Sequence, residues 1–134
     1  MLDSIIDGIV EALKNNFGGV PVYTEHAMQG LLKPCFNVYF LESNSEQLLG
    51  SRYKRDYYFT VQYVPHDSKD NFNSVLDGLY YALEIINVDG DKVRAMELRG
   101  EFANGMIYFT VIYSVIIKYV EYIAKMKTIH ISMA

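Results

Sequence analysis

Between Pro34 and Val64 the apolar side chains recur at every second position. Phe36, Val38 and Phe40 alternate with Asn37 and Tyr39, and Tyr57, Phe59, Val61 and Tyr63 alternate with Tyr58, Thr60 and Gln62. A period of two puts each set on one face of an extended strand, one face toward a core and the other toward water. Ser43-Asn44-Ser45 is expected to break the first strand, because such side chains hydrogen-bond their own backbone. The second strand runs roughly from Ser51 to Val64 and is stopped by Pro65. Two further strands are expected at Lys92–Phe102 and Met106–Tyr119. Asn104-Gly105 between them is a tight hairpin signal, since both residues accept positive φ.

Two other segments carry helical spacing. In residues 3–17, Ile5, Ile6, Ile9, Val10, Leu13 and Phe17 form an apolar stripe, with Asp7, Glu11 and Lys14 elsewhere. Asp3 or Ser4 suits the N-cap, and Gly18-Gly19 suits the exit. Val20–Thr24 reads as a short extended piece, placed at an edge by Pro21, and His26–Lys33 as loop. His66-Asp67-Ser68 is expected to open a second helix striped by Phe72, Val75, Leu76, Leu79, Leu83 and Ile86, leaving through Asn87–Asp91 with Asp89-Gly90 as turn residues. The fold class is therefore α+β: an antiparallel (mixed) β-sheet packed by two amphipathic helices, with a single domain at residues 1–119 and an extended C-terminal tail at 120–134. A strand from Met106 to Tyr119 would reach about 45 Å at about 3.3 Å per residue. That is long against the ~14 Å radius of gyration of a compact domain of this size. The last strand and tail are thus expected to bend, or to leave the domain and lie on something else.

A chain of 134 residues, 51% hydrophobic and 21% charged, can build its own core and is not of disordered composition. The net charge of −4 excludes a strongly basic surface made to condense on phosphate backbones. A lone cysteine excludes an internal disulfide and a multi-cysteine zinc site, and fits a reducing compartment. Acidic residues interrupt the N-terminal apolar run, so no secretory signal is expected. Met106–Ala124 is too short in uncharged length, and too β-branched, to read as a membrane span.

Catalytic chemistry finds little foothold. His26, His66 and His130 are scattered, without a second His or Cys at ligand spacing. His66-Asp67 and Glu25-His26 read as turn and cap residues more readily than as acid–base pairs. Cys35, between Pro34 and an apolar strand, reads as a small buried hydrophobe. The glycines make no phosphate loop. Asp89 and Asp91 resemble the start of a calcium loop, but Gly100 stands where the closing glutamate should be. No enzyme activity, metal or other cofactor is expected.

The most informative polar feature is Arg52, Lys54 and Arg55 interleaved with Tyr53, Tyr57 and Tyr58. It admits three readings: a single-stranded nucleic-acid platform, a strand edge protected by charge, or a surface for an acidic protein partner. The net charge makes the first the weakest. Twelve tyrosines, with no tryptophan, suit half-buried sheet faces and interfaces alike. The tail Val120–Ala134 carries Ile123, Met126, Ile129, Ile131 and Met133. It can close back on the domain as a strand or dock on a neighbouring subunit by strand addition, and its apolar content favours docking.

The stretches VYTEHAMQGLLKPCFNVYFLE (Val22–Glu42), SRYKRDYYFTVQYVPHD (Ser51–Asp67), LRGEF (Leu98–Phe102) and GMIYFTVIYSV (Gly105–Val115), in this order, resemble the small tail terminator proteins of contractile-tailed phages, prophages and phage-tail-like bacteriocins of Gram-positive bacteria. The resemblance is weak over Met1–Gly19 and absent after Val120. It implies a homo-oligomeric ring, usually of six subunits. Such a ring caps the tail tube, ends tube and sheath polymerisation and offers the surface that joins tail to head. Implied partners are the tube, sheath and neck or connector proteins. DNA would only pass through the lumen, and no membrane is involved. The implied location is the host cytoplasm during assembly, then the top of the tail in the particle. The resemblance supplies no recognised site. By pattern, the interface with tube, sheath or neighbour is placed on Arg52, Lys54, Arg55, Tyr113, Tyr119, Tyr122, Ile123, Met126 and Ile129. Two alternatives stand beside the terminator: a neck or head–tail completion protein, and a tyrosine-rich binding module for single-stranded nucleic acid or another ligand.

Overall fold

The computed structural model describes residues 1–24, 32–67 and 71–118. The elements follow the order α1 (Leu2–Asn16), β1 (Val22–Tyr23), β2 (Cys35–Gln47), β3 (Arg52–Val64), α2 (Phe72–Leu83), β4 (Ile85–Val88), β5 (Asp91–Ala103) and β6 (Met106–Lys118). The six strands form a sheet ordered β1-β2-β3-β6-β5-β4, with β1 parallel to β2 and every other pair antiparallel. The protein is thus α+β with a mixed sheet and two helices. β1 lies at an edge, as Pro21 suggests.

The period-two pattern decides which face is covered. Phe36 and Val38 of β2, Tyr57, Phe59, Val61 and Tyr63 of β3, and Ile107, Phe109, Val111 and Tyr113 of β6 are buried beneath Ile5, Ile9 and Leu13 of α1 and Leu79, Ala82 and Leu83 of α2. At about 25 cal/mol per Å² of apolar surface removed from water, this layer is the main source of stability. α1 ends at the expected place, with Gly19 at φ 84° just past Phe17. Its N-cap is Met1, rather than Asp3 or Ser4, and it makes no side-chain capping bond.

Four sequence expectations are corrected. β2 is not broken at Ser43-Asn44-Ser45; a register shift between Phe40 and Glu42 lets it continue, with those residues paired to Tyr57, Asp56 and Arg55. Cross-strand hydrogen bonds there outweigh the local preference of the side chains. α2 begins at Phe72 with Asn71 as its cap, the Asn71 Oδ1 accepting from the Ser74 N–H at 3.2 Å. Ile86 belongs to β4, not to the helix, because the chain reverses at Asp89-Gly90 and Ile85–Val88 pairs with Asp91–Arg94. Finally, of the two expected fates of the last strand, bending or leaving the domain, its described part does not leave: β6 is paired with β3 from Ile107 opposite Tyr63 to Lys118 opposite Arg52. Asn104 (φ 54°) and Gly105 (φ 73°) form the β5–β6 turn as the sequence indicates.

Candidate functional site

Two surfaces follow from this arrangement. The first is the far end of the β2–β3 hairpin. Every residue from Phe40 to Gln47 is exposed, and the segment Ser43–Gln47 alone extends about 15 Å. At its turn the Leu48 N–H donates to the Arg52 carbonyl at 2.8 Å, the Gln47 side-chain amide donates to the Gly50 carbonyl at 3.2 Å, and Gly50 takes φ 71°. This hydrogen-bonded turn presents Leu49 92% exposed with Leu48 also open to solvent, and Leu41 is exposed farther along the arm, at the register shift between Phe40 and Glu42. An exposed apolar tip on a polar arm is a candidate contact surface.

The second is the helix-free face of the sheet. Residues that alternate with the core set lie here: Asn37, Tyr39, Glu42 and Glu46 on β2, Lys54, Asp56, Tyr58 and Gln62 on β3, Tyr108 on β6, and Glu97, Arg99 and Glu101 on β5. The side chains tie to one another. Gln62 Oε1 accepts from Tyr39 Oη at 2.8 Å and from Asn37 Nδ2 at 3.4 Å, while Gln62 Nε2 reaches Met106 Sδ at 3.0 Å. Asn44 donates to Tyr58 Oη, and Ser114 donates to Asp56. Burial, and then the neighbouring Tyr108, push the Tyr39 phenol up, so it stays a neutral donor. Glu46 stands directly opposite Lys54, a favourable cross-strand pair.

Strand alternation divides the basic cluster. Arg52 and Lys54 lie on the helix-free side, whereas Arg55, opposite Ser45 and Val115, lies on the side of Tyr57 and the core. The three cations therefore do not form one patch, and a continuous nucleic-acid platform built on them is not what the fold presents. Tyr113, expected at an interface, is fully buried. Its Oη donates to the Leu83 carbonyl at 2.6 Å, fixing the end of α2, and burial drives its phenol far above the ordinary tyrosine range. Tyr119, Tyr122, Ile123, Met126 and Ile129 lie outside the described residues, as do His26 and His130. Leu48 and Leu49 were missed by sequence reading; their signal was two consecutive leucines between polar residues at a hairpin turn.

His66 and Asp67 form an exposed pair, Nδ1 to Oδ2 at 3.7 Å, charged on the histidine side only when protonated. Cys35 is buried, and desolvation raises its thiol pKa despite the lowering effect of Lys33. Among the described residues, no group of three His, Cys, Asp or Glu side chains is placed to hold a metal ion, and no helix is long and apolar enough to cross a membrane.

Among the described residues, the sheet is backed by helices on one face, carries hydrogen-bonded polar side chains on the other and extends an apolar-tipped arm. The chain belongs to the family of phage tail terminator proteins, which it matches over residues 4–125. That is a structural family, not known as enzymatic. Membership gives the chain a structural role in tail completion, contact with other tail components and a place in the virion tail. No curated protein matches the sequence. Among solved structures that match, one shares 11% identity, with 85% of this chain and 93% of the other covered and a TM-score of 0.47.

Proposed function

We propose that the protein is the subunit of a ring, of six copies on the family pattern, that caps the finished tail tube. One face of the ring would seat on the last tube ring. The other would lack the tube's own docking surface, so tube and sheath growth ends and the neck or connector finds its joining surface. The observation that carries this reading is the family match across nearly the whole chain. The exposed arm, with Leu48 and Leu49 at its tip and Arg52 and Lys54 beside the turn, supplies a means of reaching the next component. The net charge of −4 suits a lumen past which DNA slides.

The test is to add purified chain to tube protein polymerising in vitro and to image the products by negative-stain electron microscopy. Tubes that stop at short lengths with a ring at one end are expected. Tubes of unchanged length with bare ends would refute capping and favour a neck protein.

A further inference from the structure

The sheet divides between β5 and β6. β5 runs beside β6 from Ala95 to Ala103, but Asp91–Arg94 pair with β4 instead. On β6, Ser114–Lys118 pair with β3 on one side, and no described residue pairs with them on the other. Two causes are visible. β5 has a register shift between Ala95 and Glu97, and such a bulge bends its strand. α1 also holds β4 closely at Gly8, where a Cβ would stand 2.3 Å from the Asn87 carbonyl oxygen. Two strand edges therefore face each other across a cleft lined by Val88, Val93, Ser114, Val115 and Ile116. Val93 and Val115 are half-buried on the core, while Ile116 is 57% exposed.

We propose that the free β6 edge, Ser114–Lys118, accepts residues 128–133 of a second copy as an added strand, an inference that rests on the ring reading above. An open edge offers unpaired backbone N–H and C=O groups, a template for another strand. The sequence Thr128-Ile129-His130-Ile131-Ser132-Met133 has the matching pattern. Ile129, Ile131 and Met133 fall on one face of a strand, toward Val93 and Val115, and His130 and Ser132 on the other, beside Ser114 and Ile116. Residues 119–127 connect donor to acceptor and reach about 30 Å when extended, enough to cross to a neighbour. Crossing would also bring the apolar and aromatic side chains of Tyr119, Tyr122, Ile123 and Met126 to the boundary between copies. Donor and acceptor surfaces differ, so the contact is head-to-tail, the kind that closes a ring.

Site-directed cross-linking tests this in the full chain with Cys35→Ala. A tagged chain carrying Ile116→Cys is mixed with an untagged chain carrying His130→Cys or Ser132→Cys, oxidised and run on a non-reducing gel. A disulfide-linked tagged–untagged species is expected with at least one partner. Adding Ile131→Asp to the untagged chain should lower its yield at least about tenfold, because an ionised side chain would face the apolar floor. Circular dichroism checks that each variant is folded. A control chain carries Ile116→Cys together with Ser132→Cys; linkage found only within that single chain, with none in the mixed sample, or no linkage at all, overturns the proposal. Mass photometry of the same samples separates the two readings. Rings without cross-links leave the ring standing and the strand addition refuted, whereas monomers at every concentration refute both.

Discussion

Replacing Tyr113 with Phe removes one oxygen and keeps the ring. In the native protein that oxygen donates at 2.6 Å to the carbonyl of Leu83, the last residue of α2, inside the core. A carbonyl at a helix C-terminus has no partner within the helix. Tyr113→Phe therefore leaves it buried without this donor, at a cost of about 1–3 kcal/mol. At roughly 4 °C per kcal/mol for a chain of this size, the melting temperature at pH 7 falls by about 4–12 °C. The pH dependence adds a signature that simple loss of packing lacks. Burial raises the Tyr113 phenol above its unfolded value near 10. Its stabilising contribution is then complete below that value and is lost as pH rises, because the unfolded chain releases a proton that the folded chain retains. The slope is about 1.4 kcal/mol per pH unit above pH ~10. Tyr113→Phe has no such proton, so the stability gap between the two proteins narrows by about 1.4 kcal/mol between pH 9 and 11. Tyr39 and Cys35 titrate alike in both proteins and cancel in the difference. Urea unfolding followed by circular dichroism, at several pH values, measures the gap. A gap constant with pH, or a variant as stable as its parent at pH 7, would refute the assigned role.

Other predictions follow from single contacts. Gly8→Val forces α1 away from the Asn87 carbonyl and should destabilise the fold by about 1–3 kcal/mol, visible as a lower urea midpoint; unchanged stability would mean that α1 is not packed tightly on β4. Cys35, fully buried with its thiol pKa raised, should resist a thiol reagent in native buffer and react at once in denaturant; fast native labelling would contradict its placement. Leu48→Asp with Leu49→Asp alters an exposed turn, so stability should shift by less than about 0.5 kcal/mol. The same variant should fail to restore normal tails in a strain lacking the gene, and full restoration would remove the arm tip from the assembly surface.

Much of the fold could be read from periodicity because each face of β2, β3 and β6 has one fate. Phe36, Tyr57 and Phe109 go under the helices, while Asn37, Tyr58 and Tyr108 do not. The misreadings share a cause, which is that long-range pairing overrode local preference. Ser43–Ser45 stays in β2 because β3 supplies partners, and Ile86 fitted a helical stripe until β5 claimed it. The surfaces were less legible. Arg52, Lys54 and Arg55 are neighbours in sequence, yet pleating separates Arg55 from the others. The bulge between Ala95 and Glu97, which opens the cleft beside β6, has no marker in sequence, because nothing in Ala95-Met96-Glu97 distinguishes it from regular strand.

Tail length is the most direct measurement of the central claim. Particles from a strain lacking this gene would be imaged by electron microscopy and their tails measured. Overlong tails of variable length are the predicted result. Tails of normal, uniform length would contradict a terminator and place the protein at another step of tail completion.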